Sequence, residues 1–155
     1  MNDFSDLLRP ASVRTAVAAA NKKAVLLLLG AIAGEALGAD PRAVTERVAA
    51  REKLGSTGFG GGVAIPHAKL PGLSGVNGAF VRLAHPIDFA AVDGLPVDLV
   101  FLLLSPEGAG AEHLKALARV SRRLRDRGFL AKLRGAGSPD ALYALFTADE
   151  ARDAA

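Results

Sequence analysis

The 155-residue chain has no cysteine and no tryptophan, one tyrosine and one methionine, and aromatic residues make up 5% of it. Without cysteine there is no disulfide, no thiolate metal site and no cysteine nucleophile, although the compartment is left open. So few aromatics leave little to interleave with basic residues as a stacking platform for single-stranded nucleic acid. Long apolar runs are missing as well. The longest, residues 24–33, is followed at once by Gly34 and Glu35. It is about half of a membrane span, so it reads as a buried helix and no stable membrane insertion is expected. The opening Met-Asn-Asp-Phe-Ser-Asp lacks the basic and apolar regions of a signal peptide, which makes a cytoplasmic location the expectation. An excess of one charge is lacking too: 19 basic against 16 acidic residues leave a formal +3, too little for a strong field.

What is present is ordinary for a folded protein: 50% hydrophobic and 23% charged residues, with no internal repeat and no low-complexity segment. Residues 1–155 are expected to form a single domain with its core over about residues 10–147. Residues 13–18 alternate weakly and read as a short first strand. Asn21 is placed to cap a helix through Leu37, with Gly38 as its stop. Asp40 followed by Pro41 repeats the start signal for a second helix to about Lys53, closed by Gly55. Three short apolar stretches bounded by turn residues, 63–65, 76–83 and 97–104, read as strands of a buried sheet, with a turn at Asp93-Gly94.

From Glu112 the pattern becomes helical. Leu114, Leu117, Ser121 and Leu124 form one stripe, and the arginines lie on the other side. Arg119, Arg122, Arg123, Arg125 and Arg127 are assigned to this predicted helix as a solvated face, not a nucleic-acid surface, and one suited to an acidic protein partner. A shorter helix over 129–134 follows, and Ser138-Pro139-Asp140 caps a last one through Phe146. The order implies an α/β fold: a mixed sheet with helices on its faces.

The chemistry concentrates between Gly55 and His67. Five glycines lie among residues 55–62, with Ser56 and Thr57, and the run leads through Val63-Ala64-Ile65-Pro66 to His67. A nucleotide-binding P-loop needs Gly-Lys-Ser/Thr after its second glycine, and here Gly60 is followed by Gly61 and Gly62. A dinucleotide fingerprint needs a strand before and a helix after the glycines, and here the order is helix, loop, strand. Two readings remain for the glycine run itself: a cradle of backbone N–H groups for an anion, or a flexible connection. Pro66 fixes the approach of the chain to His67. A second histidine, His113, lies near the start of a predicted helix, where the N-terminus disfavours a proton on imidazole and attracts anions. With the two strand ends side by side, both imidazoles would face one phosphate.

The run from Arg51 to Leu70 resembles the active-site segment of the fructose/mannitol/nitrogen class of enzyme IIA proteins of the bacterial phosphotransferase system. Three later segments match as well: His85-Pro-Ile-Asp-Phe, the stretch from Asp93 to Pro106, and Glu112-His113-Leu-Lys-Ala-Leu-Ala-Arg. The likeness extends over about residues 10–147 and looks strongest to the nitrogen-related type. It implies a phosphohistidine relay protein, a phosphotransferase component more regulatory than a turnover enzyme. His67 would be the phosphoryl acceptor, on Nε2. His113 would be the second active-site histidine and Arg51 a charge-stabilising neighbour, with Ser56, Thr57, Gly60, Gly61 and Gly62 around the phosphate. Gly61 departs from the many relatives that carry asparagine there.

The implied partners are a phosphohistidine carrier protein of the HPr/NPr kind and regulatory target proteins, with control of a nitrogen or potassium type. The alternative is a sugar-uptake enzyme IIA that passes phosphate to a IIB domain. No cofactor and no nucleic acid enter the scheme. His85 receives no role. Asp88, Asp93 and Asp98 lack the geometry of a metal site and are assigned to turns and solvation.

Overall fold

In the computed structural model, which describes residues 4–148, the helix starts are the cap sequences. Asn21 Oδ1 accepts from Ala24 N at 2.9 Å and opens α1 (Lys22–Leu37), which Gly38 ends. Asp40 Oδ1 accepts from Arg42 N at 3.1 Å to open α2 (Pro41–Lys53). Each such cap satisfies one of the backbone donors that a helix start leaves orphaned. The remaining helices are α3 (Gly110–Arg123), α4 (Arg127–Gly135) and α5 (Pro139–Thr147). Asp126 caps α4 and Ser138 caps α5 through their side-chain oxygens.

The strands are β1 (Val13–Val17), β2 (Gly58–Gly60), β3 (Val63–Ala64), β4 (His67–Leu70), β5 (Asn77–Ile87) and β6 (Val97–Pro106). They form one mixed sheet in the order β1-β5-β6-β3-β2, and β4 also pairs with β6. β1 runs parallel to β5, β5 antiparallel to β6, and both β3 and β4 parallel to β6.

β6 explains why its sequence shows no alternation. Leu99, Phe101 and Leu103 enter one buried cluster with α3, α4 and α5, while Val100, Leu102 and Leu104 enter another with α1 and α2. A strand covered on both faces needs apolar side chains on both. The few aromatics are concentrated: the Phe146 ring meets those of Phe4, Phe80, Phe101 and Phe129 at centroid distances of 4.7–5.8 Å.

Three expectations change. The glycine run is not one loop. Gly58–Gly60 pairs as β2 against β3, and Gly61 and Gly62, at φ 69° and 81°, make the two-residue turn between them, a conformation in which both residues need positive φ. Second, β4 and the far end of β5 were not anticipated as strands. Third, the buried stripe of α3 is His113, Ala116, Val120 and Arg123; of the expected stripe Leu124 is fully buried and Leu117 packs partly against the core, whereas Leu114 is 66% exposed. The inner face is wider than the expected stripe and takes in a histidine and an arginine. The Arg123 guanidinium lies 3.7 Å from the Phe129 ring centroid, which lets a cation sit against an apolar surface.

The expected arginine face is divided accordingly. Arg119 pairs with Asp6 and lies over Phe4, Arg125 lies beyond α3 and over Phe59, and Arg127 starts α4.

Candidate functional site

Proline creates the site's geometry. Pro66 has no N–H to give to the sheet, so β3 stops at Ala64 and pairing resumes at His67, with Leu103 N donating to the Pro66 carbonyl at 3.0 Å. In the resumed register His67 stands opposite Leu103 and Lys69 opposite Ser105. Odd-numbered residues of β6 face α3, and His67 follows them. Its ring centroid is 5.5 Å from that of His113, with the planes tilted by 48°.

The ring nitrogens of His67 are distinguished by one hydrogen bond. Nδ1 lies 2.9 Å from the Ile65 carbonyl oxygen, which only accepts, so Nδ1 carries the proton. A neutral imidazole protonated on Nδ1 has its lone pair on Nε2. Burial lowers the His67 pKa below the ordinary 6.5; Arg51 adds to the lowering, while the Ile65 bond and Glu52 oppose it. The His113 pKa is lowered too, first by burial and then by the positive charges of His67 and Lys69. Burial, not the helix N-terminus invoked from the sequence, is thus the leading cause at His113. Both rings are neutral at neutral pH.

That neutrality costs stability in acid. Each native pKa lies below the unfolded value, so below about pH 6.5 the unfolded chain binds more protons than the folded one. The contribution is complete above the unfolded pKa and is lost as pH falls through it toward the folded values. Thermal melts are expected to show a constant midpoint just above pH 7 and a falling one below about 6.5, with a shallower fall in His67→Ala.

Around the rings lies a shallow cleft of about 400 Å³ lined by Arg47, Arg51, His67, Ala68, Lys69 and His113. It carries three cationic side chains and no acidic one. Arg51, in the last turn of α2, donates from Nη1 to the Gly55 carbonyl at 3.0 Å. Arg47 donates to the Lys69 carbonyl at 3.2 Å and pairs with Glu107 at 3.0 Å, covering the backbone of β4.

The glycine segment divides in two. Its first part lies by the cleft: Ile65 N donates to the Thr57 carbonyl, and Gly55 is held by Arg51. Ser56 is already engaged, donating to the Phe89 carbonyl at 2.6 Å and accepting from Gly58 N at 3.0 Å. Thr57 Oγ1 is buried with no hydrogen-bond partner among the described residues, while its N–H is accepted by the Glu52 carboxylate at 3.2 Å. Glu52 is 7% exposed and pairs with Lys22 at 2.8 Å.

The second part is elsewhere. β3 begins opposite Leu99 and β4 opposite Leu103, a separation of about 13 Å along the strand. Gly61 N donates to Asp93 Oδ2, and the Gly61 carbonyl accepts from Arg134, which also binds Asp98. The structure therefore does not bring Gly60, Gly61 and Gly62 to the imidazoles, because those glycines shape a hairpin. A Cβ on Gly62 would sit 2.5 Å from Arg134 Nη2 and 2.9 Å from Asp98 Oδ1. Gly62→Ala is expected to cost about 2 kcal/mol in urea unfolding.

The other candidates are placed plainly. His85 is exposed on β5. Asp88 accepts from Ala90 N, Asp93 from Leu95 N and Gly61 N, and Asp98 pairs with Arg134.

Two residues at the site escaped the sequence reading. Glu52 looks like one more helix-surface acid until α1 brings Lys22 to it. Ser105 is fully buried, and its Oγ is 2.6 Å from His113 Nδ1. Its signal was a lone hydroxyl at the end of the apolar run 97–104.

Comparison with known proteins gives the arrangement its context. The chain matches the family model described as "Phosphoenolpyruvate-dependent sugar phosphotransferase system, EIIA 2" over residues 6–149. The nitrogen regulatory protein of Bradyrhizobium diazoefficiens is 52% identical over 142 residues, covering 92% of this chain and 93% of that one. The crystal structure of nitrogen regulatory protein IIA-Ntr from Neisseria meningitidis aligns with a TM-score of 0.86 at 34% identity, covering 92% of this chain and 97% of that one. IIA mannitol from Escherichia coli shares the fold, with a TM-score of 0.76 at 20% identity over 90% of this chain and 99% of that one. By this likeness the chain belongs to the EIIA 2 family of the phosphoenolpyruvate-dependent sugar phosphotransferase system, alongside nitrogen regulatory proteins.

Proposed function

We propose that this protein is a phosphoryl-relay protein whose His67 Nε2 accepts the group from a phosphohistidine on a small HPr/NPr-like carrier, and that its phosphorylation state controls regulatory target proteins. Control of nitrogen or potassium metabolism is the setting this reading assigns. The observation that carries it is the Nε2 lone pair of His67, set by the Ile65 carbonyl, in a cleft with a second imidazole and three cations.

In the transfer, the phosphorus–nitrogen bond on the carrier breaks as a new one forms to His67 Nε2, and the departing imidazole keeps the electron pair. Donor and acceptor are phosphoramidates of similar energy, so the protein's task is to position groups and meet anionic charge. Arg51 reaches the phosphoryl oxygens by exchanging the Gly55 carbonyl for a stronger, charge-assisted bond. Lys69 and Arg47 add positive charge at the rim. The Thr57 hydroxyl is buried and does not line the cleft, and Ser56 holds the loop in shape.

Phosphorylation brings about two negative charges into a cleft lined by three cationic side chains, one of which, Arg47, is already paired with Glu107. The positive charge shown to a partner is largely cancelled, which is the basis for regulation.

The test is incubation with phosphoenolpyruvate, enzyme I and candidate carriers, read by intact mass and peptide mapping, followed by addition of IIB proteins and sugars. A label on His67 that passes to no sugar supports the regulator. Passage through a IIB domain to a sugar would place the protein in uptake instead, and absence of any label would reject the relay.

A further inference from the structure

We infer that Ser105 is a positioning residue that holds His113 in the Nε2–H tautomer, so that the second imidazole offers the group on His67 a hydrogen-bond donor. The consequence for transfer rests on the proposed acceptor role of His67; the assignment of the tautomer does not.

The geometry leaves two arrangements for the 2.6 Å contact between Ser105 Oγ and His113 Nδ1. In one, Nδ1–H donates to the serine oxygen. The serine hydrogen then has nowhere to go, because Ser105 is fully buried and His113 Nδ1 is its one hydrogen-bond partner among the described residues. A buried donor without an acceptor is costly. In the other, the serine hydroxyl donates to an Nδ1 lone pair, and every proton has a partner. A neutral His113 then carries its hydrogen on Nε2.

The fold places the serine for this purpose. Leu99, Phe101 and Leu103 precede it on the same face of β6 and pack into the core beneath α3, and Ser105 is the polar residue that ends this series. Its register partner is Lys69, two residues beyond His67. Ser105 and His67 therefore flank His113 from the sheet side. The two histidines are complementary: the Ile65 carbonyl makes His67 an Nε2 lone pair, and Ser105 makes His113 an Nε2–H. An Nε2 lone pair on His113 would instead face the lone pairs of a phosphoryl oxygen and repel them.

The test uses the full-length ¹⁵N-labelled protein. Histidine ring correlations are expected to place the His113 proton on Nε2. In Ser105→Ala that preference should be lost, phosphoryl transfer to His67 should slow about tenfold, and the melting temperature should fall by a few degrees, because the buried Nδ1 loses its partner. Ser105→Cys keeps the shape and weakens the donor; it should change both readouts in the same direction and replaces the alanine variant if that one does not fold. A native His113 protonated on Nδ1, or a Ser105→Ala protein with parental tautomer and rate, overturns the inference. A changed tautomer with a parental rate removes Ser105 from transfer. Should His113 be Nε2–H and depend on Ser105 while His67 never becomes labelled, the positioning stands and the acceptor reading alone fails.

Discussion

His67→Ala is expected to take up no phosphoryl group from a phosphohistidine donor, a loss of at least about 10³-fold against the parent protein. The size follows from the lack of any substitute. There is no cysteine in the chain, Ser56 is bonded on both sides, and His113 already uses Nδ1 for Ser105. The replacement should leave the fold in place. The imidazole is only half-buried, and its one side-chain hydrogen bond among the described residues is to a carbonyl two residues away. Intact-mass analysis after matched incubations, with thermal melts of both proteins, measures the two halves of this expectation. A variant that still labels at the parental rate would remove His67 from the chemistry.

The second large effect concerns stability. Glu52→Ala is expected to cost about 3 kcal/mol in urea unfolding. The carboxylate is buried, binds Lys22 at 2.8 Å and receives the Thr57 N–H on both oxygens. Removing it leaves the ammonium without its counter-charge and a backbone donor without an acceptor, and it is this incompleteness that costs most. Lys22 also lies 4.6 Å from the Phe89 ring centroid, beneath the carbonyl that Ser56 holds. Glu52→Gln retains an acceptor for Thr57 and should lose less. Because Thr57 and Gly55 flank the cleft, Glu52→Ala should also slow phosphoryl uptake under conditions where it remains folded. An unfolding midpoint equal to the parent's would show that the buried pair contributes nothing.

The helices were legible in the sequence because their signals are local. Asn21, Asp40-Pro41 and Ser138-Pro139 each cap a helix with their own side chains, so nothing distant needed to be known. β6 was legible as an apolar run, since burial on both faces writes itself into composition. β4 was not. Its start is set by Pro66, and its pairing by β6, more than thirty residues later in the chain. The inner face of α3 was read only in part, with Leu124 and Leu117 but without Arg123, which is buried against Phe129, and no rule of apolar spacing anticipates a buried arginine.

At the site, the convergence of three residues was legible and the course of the glycine run was not. His67, His113 and Arg51 meet in one cleft as expected. The glycine run looked like one anion cradle, but Gly61 and Gly62 have positive φ for a hairpin turn, about 13 Å of strand from His67. Only the Gly55–Thr57 end remains beside the imidazole. Ser105 and Glu52 were invisible because each acquires meaning from one tertiary contact, with His113 and Lys22 respectively.

The most direct measurement is the site of the phosphoryl group after enzymatic labelling, determined by peptide mapping and by phosphorus–nitrogen correlations in ¹⁵N-labelled protein. The expected result is one phosphohistidine, at Nε2 of His67, with Nδ1 still protonated toward Ile65. A group found on Nδ1 of His67, on His113 or on no histidine would contradict it.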